Sequence, residues 1–182
     1  MFEQFKTKAE IVSAEVHRFP TRAEALDWIV GFLVEEGVAD EPKKYAVWAR
    51  CPFLDTIDRQ RLEAIPGVKL EATRELAADA HVGLSQMDWA LADTGTLVQD
   101  ATAVDKRLVS TLPTIHVALI ATDGLRPDMP TWLADADPNR MGYLSMITGP
   151  SRTADIERVL TIGVHGPVRL IIIFVDELGR TN

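Results

Sequence analysis

The run Thr148-Gly149-Pro150-Ser151-Arg152-Thr153-Ala154-Asp155-Ile156-Glu157 reads as a strand emptying into a glycine turn that opens a helix. Gly149 can take backbone angles closed to other residues, Pro150 pre-sets the turn, and Ser151 or Thr153 can cap the helix start. Free N–H groups there, the positive end of the helix dipole and Arg152 would together hold a carboxylate or phosphate. The plainer alternative is that the hydroxyls only cap and Arg152 pairs with a nearby acid. A second polar turn, Asp93-Thr94-Gly95-Thr96, adds hydroxyls and a carboxylate suited to a general base or a substrate-orienting group. Asp93 before a glycine also suits a turn that bonds its own backbone. Arg107, at a helix start, would add positive charge if it faces inward; on a solvated face it would not. His165, in Gly163-Val164-His165-Gly166-Pro167, can exchange a proton near neutral pH. The candidate catalytic residues are therefore Asp93 and His165. The candidate ligand-binding residues are Thr94, Gly95, Thr96, Arg107, Gly149, Ser151, Arg152 and Thr153.

Other chemistries lack their residues. Neither G-x-x-x-x-G-K-[ST] nor G-x-G-x-x-G occurs, which removes the main support for NTPase, kinase and dinucleotide-binding readings. Ser85 has no G-x-S-x-G elbow, and Cys51 before Pro52 has no evident activating base. His116, inside an apolar strand, reads as a hydrogen-bonded core histidine. With no H-x-x-x-H, H-E-x-x-H or C-x-x-C spacing, no metal site is expected. One cysteine excludes an all-cysteine iron–sulfur cluster within one chain and any internal disulfide.

The elements that must position these groups alternate. Phe2, Phe5, Ala9, Val12 and Val16 predict a helix ended by Pro20. Thr21-Arg22-Ala23-Glu24 is a capping-box pattern for a second helix that Gly37 closes, so residues 1–40 form a helical segment packed on the rest. Residues 45–49 and 68–70 read as strands around a helix at 57–65. Residues 89–92 and 96–98 flank the Asp93-Thr94-Gly95 turn as a hairpin or bulged corner. A helix over 104–112 is stopped by Pro113. Buried strands are expected at 115–121, 143–147 and 168–175, with a helix at 156–162. Residues 123–139, with three prolines and a short helical piece at 129–136, form either a lid or an ordered crossover. The pattern predicts one α/β domain over 1–182, a mostly parallel sheet flanked by helices. In such sheets ligands sit beyond the carboxyl ends of the strands. Three polar turns are expected to converge there: Gly83-Leu84-Ser85-Gln86 with Asp88, Asp93 to Thr96, and Thr148 to Thr153.

At 182 residues the chain suits one domain and can bury ~70% of the surface its unfolded form exposes. A net charge of −8 without a basic cluster disfavours nucleic acid and anionic membranes. The first residues lack an apolar leader stretch, and the longest apolar run, Leu170 to Val175, is far short of the ~20 residues that span a bilayer. With its single cysteine, the chain is expected to be soluble and cytoplasmic.

The Asp93 turn, the Arg107-Leu108-Val109-Ser110 to Leu112-Pro113 and His116 segment, the Gly149-Pro150-Ser151-Arg152-Thr153-Ala154-Asp155-Ile156-Glu157 string and the Gly163 to Pro167 turn together resemble the lactate utilization protein C family, the LUD domain. The resemblance covers residues 89–175; the first eighty residues match only in helical character. It implies a fold similar to the ribose-5-phosphate isomerase and CoA-transferase superfamily. It further implies a part in oxidising lactate to pyruvate, with iron–sulfur clusters only in partner proteins and none in this chain. The implied partners are a small anionic metabolite and iron–sulfur lactate-oxidation subunits. Asp93 stands where that family more often has glutamate. Two rival roles are a stand-alone enzyme acting on a sugar phosphate or acyl-CoA, with Asp93 as base and Arg152 as clamp, and a docking scaffold.

Overall fold

The computed structural model describes residues 1–153 and 161–179. In chain order its strands are β1 Ala14–Phe19, β2 Tyr45–Trp48, β3 Val68–Lys69, β4 Ala80–Met87, β5 Trp89–Leu91, β6 Thr96–Asp100, β7 Ile115–Ala121, β8 Leu125–Arg126, β9 Leu144–Ile147, β10 Arg152–Thr153, β11 Thr161–Ile162 and β12 Arg169–Val175. Its α-helices are α1 Phe2–Ile11, α2 Arg22–Glu35, α3 Pro52–Asp55, α4 Gln60–Glu63, α5 Arg74–Ala78, α6 Val104–Thr111 and α7 Met129–Asp135.

Six strands form a parallel sheet in the order β1-β12-β7-β4-β2-β3, and four more form a small sheet in the order β8-β5-β6-β9. Side chains alternate across the parallel sheet. Ile115, Val117 and Leu119 of β7, with Ile171 and Ile173 of β12, pack against Ala25, Leu26, Ile29 and Leu33 of α2. Ala118, Ile120, Leu170, Ile172 and Phe174 face the other way, onto Phe5 and Ala9 of α1 and Ala90 and Leu97 of the small sheet. Both faces are covered, which is why these strands read as unbroken apolar runs. The predicted capping box of α2 is present: Thr21 Oγ1 accepts from Glu24 N at 3.2 Å, and Glu24 Oε2 accepts from Thr21 N at 3.3 Å. Gly37, at φ +69°, closes the helix while Val38 N donates back to Leu33 O.

Five expectations are corrected. The first helix stops at Ile11, and Ser13, at φ 67°, turns the chain into β1, which pairs with β12 from Ala14↔Leu170 to Phe19↔Val175. The segment 1–40 is therefore not wholly helical. Gly83 to Gln86 is not a turn but the middle of β4, beside β7. β9 is not a buried strand of the main sheet: it is the half-exposed edge of the small one, antiparallel to β6. Arg152 and Thr153 do not start a helix, because they form β10 and pair antiparallel with Thr161 and Ile162. The rest of the helix expected at 156–162 lies outside the described residues. The helix expected at 57–65 is confined to α4. Residues 123–139 form an ordered crossover, anchored by buried Trp132 of α7 against Trp89 at 5.8 Å.

Candidate functional site

The glycine turns predicted to hold a ligand sit close together because their backbones are locked into one another. Gly149 has φ +75°, and a side chain there would put Cβ 2.5 Å from the Val12 carbonyl oxygen, so only glycine fits. Ser151 N donates to Pro167 O at 2.9 Å, and Gly163 N donates to Ser151 O at 2.9 Å. These bonds fasten the 148–151 turn to the 163–167 turn. A Cβ on Gly166 would lie 3.1 Å from that of Ser151, a close approach that a larger residue would push apart.

Together the two turns wall a cavity of about 240 Å³ at the amino ends of β7 and β12. Thr148, Gly149, Pro150 and Ser151 form one side, and His165, Gly166 and Pro167 another. Ser110 and Thr111 of α6 close a third, where both hydroxyls donate to the Arg107 carbonyl, at 3.2 and 2.6 Å. Met146 and Ile147 of β9 and Leu170 supply apolar surface, and His116 completes the wall. No Lys, Arg, Asp or Glu lines it among the described residues.

His116 is 1% exposed and is flanked in the sheet by Leu170 of β12 and Gly83 of β4. Its Nε2 lies 2.9 Å from Ser85 Oγ, while its Nδ1 is buried with no partner among the described residues. Burial alone pushes its pKa down to about 4, so the ring is neutral at physiological pH. His165, by contrast, is exposed at the rim.

The remaining predicted residues divide. Thr96 reaches the site indirectly: its hydroxyl donates to Thr94 Oγ1 at 2.8 Å and lies 2.8 Å from that of Thr148, which lines the cavity. Gly95, at φ +70°, closes the hairpin by donating to Leu91 O at 3.0 Å and leaves room for Ala9 of α1. Asp93 does not line the cavity; its N–H donates to Pro127 O, and its Oδ1 is buried without a partner among the described residues. Arg107 turns away, donating to the carbonyls of Ala101 and Thr102 and lying 4.7 Å over the Tyr143 ring. Arg152 clamps the bend between α1 and β1, donating to Val12 O and, at 2.9 Å, to Ser13 Oγ. Thr153 sits in β10, beyond the cavity lining.

The expected convergence at the carboxyl ends of the strands is therefore corrected. Of the three turns, two meet through Thr96 and Thr148, and they meet near the amino ends of β7 and β12. Ser110 and Thr111 were missed as site residues and His116 was read as a core histidine, whereas Thr148 belongs to a turn expected at the site and Ser85, of the expected 83–86 turn, lies behind the wall. The readable signal was His116 itself, one polar side chain within an otherwise apolar run.

The carboxyl ends carry a different feature. Two crevices of about 400 and 390 Å³ share Arg50 and Glu71, with Arg59 and Asp55 in one and Asp105 in the other. Asp105 Oδ2 accepts from Arg50 N at 2.9 Å. Cys51 beside them is nearly buried, and burial pushes its thiol up to about 11, so it is not a nucleophile at neutral pH.

The LUD domain family model matches residues 2–175, nearly the whole described fold. This chain belongs to the LUD-domain family. The match reaches well before residue 89, so the family's pattern includes α1, β1 and α2. Among LUD-domain relatives, lactate utilization protein C of Exiguobacterium sp. is 41% identical over 117 residues, covering 59% of this chain and 50% of that protein. Lactate utilization protein C of Halalkalibacterium halodurans is 35% identical over 127 residues, covering 66% and 55%. The chain thus spans about half the length of the curated relatives it matches. A crystal structure of a DUF162 family protein from Deinococcus radiodurans superposes with a TM-score of 0.64 at 22% identity, covering 96% of this chain and 95% of that one, which supports the mostly parallel α/β fold. Among the described residues, no helix is long and apolar enough to cross a membrane.

Proposed function

We propose that this LUD-domain chain serves lactate oxidation by holding a small hydroxy- or oxo-carboxylate in the cavity at the amino ends of β7 and β12. It would act as a component without an iron–sulfur cluster of its own, passing electrons through cluster-bearing partner subunits. The observation that carries this reading is that the turns at 148–151 and 163–167, two of those that carry the resemblance to the family, are walls of one cavity. Its volume suits a ligand of a few heavy atoms, and its wall mixes hydroxyls and histidine with Met146, Ile147 and Leu170. The names of the relatives, lactate utilization protein C, supply the physiological setting.

The sugar-phosphate and acyl-CoA alternative fits less well. A CoA ester exceeds a cavity of about 240 Å³, and a phosphate dianion asks for more positive charge than a carboxylate monoanion, while Arg107 and Arg152 are spent on main-chain carbonyls outside the cavity. Docking of partner subunits beside the cavity has one specific support: Met146 of the edge strand β9 and Tyr143 just before it are 42% and 52% exposed.

A thermal-shift comparison tests the reading. L-lactate or pyruvate at ~100 times its dissociation constant should stabilise the chain by ~2.7 kcal/mol, several degrees for a domain of this size. Sugar phosphates and CoA esters should give no shift. Stabilisation by a phosphorylated ligand alone would overturn it.

A further inference from the structure

The Ser85–His116 pair has no part in the chemistry considered so far, and its arrangement is specific. Ser85, from β4, is 1% exposed and does not line the cavity, whereas His116, from β7, does. The imidazole therefore bridges from the sheet interior to the cavity wall, with Nε2 engaged by Ser85 and Nδ1 the nitrogen left over. A buried ring nitrogen without a partner among the described residues is costly and calls for an explanation, and His116 is a residue of the cavity wall. Ser85 Oγ has a second neighbour, Met87 Sδ, at 3.7 Å.

We propose that His116 Nδ1 recognises the uncharged oxygen of the ligand, the 2-hydroxyl or 2-oxo group of a small acid, and that Ser85 is a positioning residue that lets the ring present either face of its hydrogen-bonding chemistry. This rests on the small-acid reading above. When the Ser85 hydroxyl donates to Nε2, the ring proton resides on Nδ1, which donates to a ligand carbonyl. When the hydroxyl rotates toward Met87 Sδ, the ring donates from Nε2, and Nδ1 accepts from a ligand hydroxyl. One nitrogen thereby accommodates both members of a hydroxy-acid and oxo-acid pair without a change of net charge. The alternation requires a neutral ring. Burial keeps it so. The bare Gly83 beside His116 lets α6 seat closely, since a Cβ there would lie 2.1 Å from the Val109 carbonyl oxygen, and this fixes the wall against which the ligand is held.

The test is nitrogen-15 NMR of the histidines in the full chain, titrated with L-lactate, pyruvate and propionate, the last of similar size but lacking the 2-oxygen. Pyruvate should move His116 toward the Nδ1–H tautomer and L-lactate toward the Nε2–H tautomer, and propionate should bind about tenfold more weakly than either. His116→Gln keeps an amide within reach of Ser85 but removes Nδ1, and should abolish that tenfold preference; His116→Asn, which keeps a polar atom near Nδ1, should retain part of it. If lactate and pyruvate bind while the His116 signals stay fixed, or if His116→Gln keeps the preference, the proposal is overturned and the small-acid reading survives. If none of the three acids perturbs any cavity residue, both fall.

Discussion

The two ends of the parallel sheet are built on opposite electrostatic plans. At the carboxyl ends of β2 and β4, Arg50, Arg59, Asp55, Glu71 and Asp105 line two crevices. At the amino ends of β7 and β12, the cavity wall carries hydroxyls, the neutral His116, the rim residue His165 and apolar side chains. Among the described residues, the nearby arginines of that end are engaged elsewhere: Arg152 with the α1–β1 bend, and Arg169 on the other face with Glu15 at 2.8 Å and Glu36 at 2.6 Å. Strand order reverses between β2 and β4, the place where open α/β sheets ordinarily take ligands. Yet His116, whose Nδ1 is buried without a partner among the described residues, and the locked glycine turns lie at the other end. Charge abundance marks a solvated surface here, while a partly apolar wall and an unfilled hydrogen bond mark the better site.

The strongest way to break this contrast is to unseat the wall of the amino-end cavity. Gly83→Ala forces a Cβ to 2.1 Å from the backbone carbonyl of Val109 and 2.7 Å from Pro113, neither a flexible side-chain tip. It should cost about 3 kcal/mol or more in denaturant unfolding and blur ligand binding. A variant as stable as the parent would show that α6 is not rigidly seated.

Acidification comes next. His116 titrates near 6.5 when unfolded and at about 4 when folded, so the folded state binds fewer protons between those values. Its contribution is whole above pH 6.5 and is lost as pH falls toward 4. Between pH 7 and pH 5 the chain should lose about 2 kcal/mol of stability from this group, and His116→Gln should lose none of it. Burial would raise the Glu36 carboxyl, but hydrogen bonds from His81 and Arg169 outweigh it and hold the group below its ordinary value. The Asp176 carboxyl is lowered chiefly by its bond from Arg18. Their contributions therefore persist through that window and fade only at lower pH. A flat stability profile from pH 7 to 5 would contradict a neutral buried His116.

Arg152→Ala sharpens the comparison at a smaller scale. Because the guanidinium holds the Val12 carbonyl and Ser13, the variant should lose about 1 kcal/mol of stability with little change in affinity for lactate or pyruvate. Loss of affinity without loss of stability would restore Arg152 as an anion clamp. Smallest of all, Arg50→Ala at the carboxyl end should change stability by less than about 0.5 kcal/mol and leave small-acid binding intact. If it abolished binding, the two ends would have to exchange roles.

Much of the scaffold was legible from local pattern. The capping box at Thr21, the closing Gly37, the hairpin around Asp93-Thr94-Gly95 and the apolar runs of β7 and β12 each announce themselves because a few neighbouring residues satisfy one another. The misread elements depend on distant partners. β1 continues the helical spacing of α1 through Val12 and Val16, and only pairing with β12 makes it a strand. β4 reads as polar because Ser85 and Gln86 are buried with partners far along the chain, His116 and the Phe53 N–H. Arg152 and Thr153 follow a turn that resembles a helix cap, but pairing with Thr161 and Ile162 prevails.

The sequence by itself determined the class of the sheet, the family motifs and the glycine turns, because each rests on short-range backbone preference or on a periodicity of apolar residues. Only the tertiary structure decided which side chains face the cavity. That choice turns on strand register: His116 stands opposite Leu170 and Gly83 and within reach of Ser85, and a shift of one residue would turn it to the other face of the sheet. The same holds for the arginines, whose long side chains are directed by carbonyls brought near from Val12 and Ala101 rather than by their neighbours in the chain.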